Sequence, residues 1–530
     1  MYTPLHQFCM RDAGNADALL IALSEQLQLE LRSEAETALN RIYFDSFDWR
    51  LYLGGGVLYC KPDGRKKTLI WTKEGGDDAA ETLTIGRGMP KFAEDFPPGA
   101  MRDALSGLLE MRALIPQVEV KGRVRIFKVL DPEQKTVLRL SIESHASREP
   151  GVAEFSELPE RIGLLPMRGY AAVLKRAKKI LEKDMGLEAV AVGLLPAALT
   201  ALGRKPADYS AKLEFQFAPE DAAGLVARRI HLNLLDTIER NLPGTCANTD
   251  SEFLHDLRVA VRRARSALTQ IKGVFNPEAV AAFNPRLAWI GQITGPSRDM
   301  DVYLLDYDVY RSTLPQRFQA DLDPLHGFLL AHRKRAYREM ASKLKSKDFQ
   351  TFLKEWRRFL DNPRESDDTA GSAALPVKQV ADKRIRRIYK RVLAEGSAVN
   401  DSSPATAFHE LRKNCKKLRY LIEFFQSLYP SAQILPLIKA LKALLDNLGA
   451  FQDTEVQANK LREFAHQMVK EGEVPADTLL AMGMLVDGLL QRQQEARKDF
   501  HNCFNLFAGK ENRKELKAIF SGSSRASQQG

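Results

Sequence analysis

His255-Asp-Leu-Arg258-Val-Ala-Val-Arg262-Arg263-Ala-Arg265 recurs in the same chain as His409-Glu-Leu-Arg412-Lys413-Asn-Cys-Lys416-Lys417-Leu-Arg419. The two runs align without a gap at an offset of 154 residues. A second motif keeps that offset: Gly295-Pro-Ser-Arg298-Asp299-Met-Asp301-Val302 matches Gly449-Ala-Phe-Gln452-Asp453-Thr-Glu455-Val456. Two motifs in one order at one spacing predict a duplicated unit.

Placed on a helix at about 100° per residue, His255, Arg258, Arg262 and Arg265 share a stripe about 80° wide. Leu254, Leu257, Val261, Ala264 and Leu268 form the adjacent apolar face. The second copy repeats this with His409, Arg412, Lys416 and Arg419 beside Phe408, Leu411, Cys415, Leu418 and Ile422. Each helix is therefore expected to bury one face in a bundle and to offer a cationic stripe next to it. Like charges three and four residues apart repel by a few tenths of a kcal/mol per pair, and a bound polyanion is the natural compensation. Arginine forks suit phosphate oxygens and lysine adds point charge. Internal pairing with Asp299, Asp301, Asp453 and Glu455 is the alternative use of these cations, and those acids read as partners that aim arginines. A histidine at the same place in both copies is a candidate anion ligand. Neither histidine has neighbours at metal-site spacing.

Around these motifs, residues 221–520 read as all-helical, with halves at about 221–360 and 376–520 separated by a polar loop from Asp361 to Ser372. Residues 521–530 read as a disordered tail. Residues 1–220 read as α+β. Helices are expected at Ala16–Gln28 and Tyr170–Met185. A hairpin is expected at Gly56–Lys61 and Lys67–Lys73, and a second strand pair at Val118–Val129 and Thr136–Glu143. The run Lys212–Phe217 alternates as a half-buried strand does.

The 530 residues carry 44% apolar and 28% charged side chains, which excludes a mainly disordered chain. No run approaches the roughly 18 apolar residues of a membrane span. Met1–Asp12 lacks the segments of a secretory signal, and the five cysteines are scattered without a CxxC pair, so a reducing, cytoplasmic setting is expected. The formal net charge is +10. Acids and bases nearly balance over residues 1–220, so the excess lies beyond them and points to a polyanionic partner.

The paired motifs resemble the CHAD family (conserved histidine α-helical domain) over roughly 221–520. The resemblance implies two pseudo-symmetric four-helix-type bundles with a basic central groove that binds inorganic polyphosphate, and a location at polyphosphate granules. By position, it assigns phosphate binding to His255, Arg258, Arg262, Arg263 and Arg265, and to His409, Arg412, Lys413, Lys416, Lys417 and Arg419. Arg384 and Arg387, on the preceding helix, are candidate secondary contacts. Gln452 departs from the Arg-Asp pattern of the first copy, so the halves need not contribute equally.

Arg41-Ile-Tyr-Phe-Asp45-Ser-Phe-Asp-Trp-Arg-Leu-Tyr52, Gly54–Tyr59, Lys67–Lys73 and Gly203–Leu213 resemble the CYTH family. That resemblance implies an antiparallel β tunnel, in which active members cleave triphosphates with Mg²⁺ or Mn²⁺ held by inward carboxylates. The Glu-x-Glu-x-Lys strand which that chemistry needs is absent: the first tunnel strand reads as degenerate or missing. Lys73 and Lys212, with Lys61, Arg123, Arg125 and Arg139, are candidate cations of such a tunnel, and Glu119 and Glu143 could face it. The expectation is a polyphosphate-binding protein more than an enzyme, with no cofactor, no metal site and no membrane insertion. The alternative is a metal-dependent triphosphate or polyphosphate phosphohydrolase whose helical part recruits substrate. Nucleic acid is disfavoured, because only Tyr420 offers an aromatic ring beside a stripe. The sequence names no protein partner.

Overall fold

The computed structural model describes residues 6–10, 16–64, 66–73, 81–86, 88–362, 371–472, 474–510 and 512–514. The expected tail at 521–530 and most of the expected loop after Asp361 lie outside them. The chain divides into two units, Met1–Ser210 and Ala211–Gly530.

The first unit is built on a ten-stranded antiparallel sheet. Its strands are β1 (His6–Cys9), β2 (Glu30–Asp45), β3 (Gly56–Asp63), β4 (Lys66–Lys73), β5 (Glu81–Ile85), β6 (Ile115–Leu130), β7 (Thr136–Arg148), β8 (Ser156–Glu157), β9 (Arg161–Pro166) and β10 (Glu188–Ala189). The order is β10-β1-β9-β7-β6-β2-β3-β4-β5, with β8 beside β7. Five helices accompany it: α1 (Ala16–Leu27), α2 (Arg50–Leu53), α3 (Ala100–Leu109), α4 (Ala171–Lys179) and α5 (Leu194–Thr200). Along β6 the alternation does its work. Val118 and Val120 are buried while Lys121 and Arg123 are exposed. Gly122 is required where β6 meets β7, since a Cβ there would stand 2.2 Å from the Ser144 carbonyl oxygen. After β2 the chain turns on Asp45, whose carboxylate accepts the N–H groups of Ser46 (2.7 Å), Leu51 (2.9 Å) and Tyr52 (2.9 Å).

The second unit is helical: α6 (Ala223–Ala247), α7 (Ser251–Gln270), α8 (Pro277–Ile293), α9 (Gly295–Leu305), α10 (Tyr307–Thr313), α11 (Asp323–Leu344), α12 (Lys347–Asp361), α13 (Val377–Ala398), α14 (Ala405–Phe425), α15 (Ser431–Glu471) and α16 (Ala476–Phe507). The duplication is visible in the helix starts. α6 and α13, α7 and α14, and α8 and α15 each begin 154 residues apart. Contacts between equivalent residues then locate a pseudo-two-fold axis. Ala222 and Pro376 form an antiparallel bridge. The Ala223 N–H donates to the Leu375 carbonyl (2.9 Å), and the Val377 N–H donates to the Asp221 carbonyl (2.8 Å). These two bonds are reciprocal under the offset, the signature of an isologous contact. At a second point the Tyr303 hydroxyl donates to the carbonyl of Gln457, its own equivalent position (3.3 Å).

The apolar faces expected on the motif helices are the ones buried. Leu254, Leu257, Val261, Ala264, Leu268, Phe408, Leu411, Cys415, Leu418 and Ile422 all belong to one core cluster. Each large member contributes roughly 1.5–3 kcal/mol by leaving water. The copies differ after α8. Pro296 stands at the start of α9 and the helix breaks there, whereas Ala450 occupies the equivalent place and α15 runs unbroken for 41 residues.

The expected strand at Lys212–Phe217 is not one. This stretch is extended but pairs with no strand, and Leu213 and Phe217 are buried in the helical core. Period-two burial needs only an extended chain on an apolar surface, so alternation alone cannot tell this from a ladder.

Candidate functional site

The stripe of α7 and the stripe of α14 meet. Arg262 bears electrostatically on Lys416, its own equivalent in the second copy. Arg258 lies beside Arg262 and Arg298, and Arg412 and Arg419 lie beside Lys416. Solvent reaches both Arg262 and Lys416. Dense surrounding protein and the charges of Arg412 and Arg262 nonetheless hold the Lys416 ammonium down, at about 8. Burial, reinforced by Arg262 and opposed by Asp299, lowers Arg258 to about 10. These side chains thus form a cationic cluster whose charges disfavour one another.

The two arginines at its flanks are held differently because the helices beneath them differ. In the first copy, Arg258 Nη1 donates to the Gly291 carbonyl (2.9 Å) and to Thr294 Oγ1 (2.7 Å). That carbonyl lies in the last turn of α8, where the helix stops short of pairing its acceptors. In the second copy α15 does not stop, and Arg412 instead forms a two-pronged bridge to Asp453, 2.9 Å on each prong. Gly295 and Gly449 lie under the two guanidinium groups; a Cβ at Gly449 would stand 3.6 Å from Arg412 Nη2. The acids divide accordingly. Asp453 aims Arg412, and Asp299 faces Arg258, Lys460 and Arg298. Asp301 is engaged elsewhere, by Arg333 (2.6 Å) and the Tyr337 hydroxyl (2.6 Å).

The remaining candidates separate into groups. Arg265 is exposed on the α7 stripe. Arg263 is not on it: its guanidinium donates to the Ala211 carbonyl (3.1 Å) and pairs with Glu423 (3.3 Å). Glu423 also holds Arg419 at 2.6 Å, so one carboxylate ties α7 to α14. Lys413 pairs with Glu410 and Lys417 donates to Asn414, and the charge nearest Lys417 from another helix is Arg391, not Arg262. Lys417 thus lies towards α13, and Lys413 is exposed on α14. His409 Nδ1 lies 2.7 Å from Gln452 Oε1, so the departure from the first-copy pattern supplies a partner for the histidine. His255 is half-buried at the head of its stripe. Arg384 is buried, and its Nε donates to the Gln270 carbonyl (2.6 Å), closing the end of α7. Arg387 is exposed.

Sequence reasoning left two cations out of the site. Arg298 was visible inside the second motif, and its Nη1 is buried with no hydrogen-bond partner among the described residues. Lys460 gave no signal, because its equivalent position is Asp306 and the repeat does not mark it.

In the first unit, three of the six expected tunnel cations, Arg123, Arg125 and Arg139, lie in ion pairs. Arg123 lies 3.7 Å from Glu36, Arg125 pairs with Asp17, Arg139 with Glu34, and Arg148 with Glu119. Strand β1 is present and carries no carboxylate, and the Gln7 side-chain amide on it donates to Glu143 (3.2 Å). Lys73 ends β4 at the surface, and Lys212 belongs to the second unit. Among the described residues no group of three or more His, Cys, Asp or Glu side chains could hold a metal ion.

A family model described as the CHAD domain matches residues 229–462, a span that contains both copies of both motifs. These residues are a CHAD domain. Two curated relatives, uncharacterized proteins of two strains of Mycobacterium tuberculosis, are 27% identical over 181 residues, which is 32% of this chain and 33% of theirs. The chain thus spans about a third of the length of the curated relatives it matches. Among solved structures, the CHAD domain from the plant Ricinus communis is 23% identical with a TM-score of 0.47, covering 58% of this chain and 96% of that one. PptA from Streptomyces chartreusis is 16% identical with a TM-score of 0.41, covering 54% and 100%. No helix among the described residues is long and apolar enough to cross a membrane.

Proposed function

We propose that this protein binds inorganic polyphosphate at the cationic cluster where α7 and α14 meet. The observation that carries the proposal is the pairing of these two helices, tied by Arg263 and Glu423 (3.3 Å), which sets Arg262 and Lys416 within electrostatic reach of each other. Like charges at equivalent positions of a duplicated unit oppose each other unless an anion lies between them. A linear phosphate polymer, with identical oxygens along its length, presents the same chemistry to both copies. Arg258, Arg262, Arg265, Arg298, Arg412, Lys416 and Arg419 are its contacts in this reading, with His255 and His409 at the two ends. The CHAD domain belongs to a family associated with polyphosphate binding, which supports the same choice. The reading extends to a cytoplasmic protein held at polyphosphate granules. The first unit takes a noncatalytic part, since its first strand carries no carboxylate that could hold a hard metal ion.

Competition at matched salt tests the choice of ligand. Polyphosphate is expected to displace DNA and RNA from the protein far more readily than the reverse, and parity between them would favour a nucleic-acid partner.

A further inference from the structure

A second cationic surface lies on α13. Lys383, Arg386, Arg387, Lys390 and Arg391 are all exposed, and their spacing places them on one helix face. Four of them, with Gln379 and Asp382, line a cavity of about 530 Å³. The single acid there is already engaged. Asp382 accepts from Lys378 (2.6 Å) and from the Tyr429 hydroxyl (2.8 Å). Lys383, Arg387, Lys390 and Arg391 make no ion pair among the described residues.

This surface adjoins the α7–α14 cluster. Around α14, at about 100° per residue, Arg419, Arg412, Lys416, His409, Lys413 and Lys417 follow one another over roughly half the circumference. Arg391 then adjoins Lys417. The first copy keeps one of these cations, Arg229 in the place of Lys383, and lacks the others. Leu232, Asn233, Asp236 and Thr237 stand where Arg386, Arg387, Lys390 and Arg391 do, and Asp236 itself pairs with Arg357. The duplicated fold therefore does not demand these cations.

We propose that the exposed cations of α13, reached across Lys413 and Lys417, are a second contact site for the same phosphate polymer, engaged by chains too long for the central cluster. The proposal rests on the polyphosphate reading above. Continuity with that cluster favours one polymer over a separate acidic protein. The face carries no exposed aromatic ring, which disfavours single-stranded nucleic acid.

The test compares tripolyphosphate with long-chain polyphosphate on the full chain and on an Arg387→Ala, Lys390→Ala, Arg391→Ala variant. Long-chain affinity is expected to fall about tenfold or more, with the slope of log affinity against log salt shallower by about two to three. Tripolyphosphate affinity is expected to hold, which also shows that the variant is folded. The charge-keeping variant Arg387→Lys, Lys390→Arg, Arg391→Lys should retain the long chain. Unchanged long-chain affinity, or equal weakening of both ligands, overturns the second site. A wild-type chain that binds neither ligand overturns the polyphosphate reading itself.

Discussion

Lys416 shows what the site costs when empty. Its ammonium is held at about 8, against an ordinary lysine value of 10.5, by crowding and by Arg412 and Arg262. The charged form is therefore disfavoured in the folded, unliganded protein. Without anion, Lys416 makes the fold gain stability as pH rises from about 8 towards 10.5, where the unfolded chain still binds a proton that the folded chain has lost. A bound polyanion reverses that preference, so affinity should decline as pH rises through about 8 and the ammonium is lost. An arginine at this position keeps its charge as pH passes through about 8. Lys416→Arg should flatten the alkaline decline in a binding titration, and an identical decline in that variant would remove Lys416 from the site. At this scale the sequence was legible where the helical period decides. The same wheel that gathers Arg258, Arg262 and Arg265 sets Arg263 and Lys417 apart, as the structure does. Lys460 was not legible, since its place depends on how α15 packs and not on its own helix.

Among elements, the repeat spacing was enough to align three pairs of helix starts. It did not reveal that Pro296 would break one copy and Ala450 would leave the other straight, nor that Arg258 and Arg412 would find different acceptors as a result. The Lys212–Phe217 run misled because burial on alternate sides arises against helices as well as within a sheet. Arg384 looked like a phosphate contact from its charge and position, yet it closes the C-terminal end of α7 from inside the protein. Arg384→Met should lower stability to denaturant by about 1–3 kcal/mol, the cost of leaving a buried acceptor unpaired. It should leave polyphosphate retention intact. Lost retention at unchanged stability would return Arg384 to the binding surface.

At the scale of the whole molecule, two units carry unequal chemistry. The sheet unit keeps the strands expected of it but pairs Arg125 and Arg139 internally and puts an amide opposite Glu143. Triphosphate incubated with the full chain and Mg²⁺ or Mn²⁺ should therefore release no phosphate above background. Release that disappears in a Lys73→Ala, Lys212→Ala variant would revive the hydrolase. The helical unit shows a pseudo-two-fold axis in reciprocal contacts between equivalent residues, at Ala222 and Pro376 and again at Tyr303 and Gln457. Around such an axis the cationic surplus of the sequence becomes one surface. Sequence statistics located that surplus, but only the fold could bring residues 154 apart face to face.

The most direct measurement is retention on immobilised polyphosphate across a salt series, for the wild-type chain and for the variant His255→Ala, Arg262→Ala, His409→Ala, Lys416→Ala. Tight, salt-sensitive retention of the wild type is expected, with elution of the variant at markedly lower salt. Elution of both at the same salt would contradict the site.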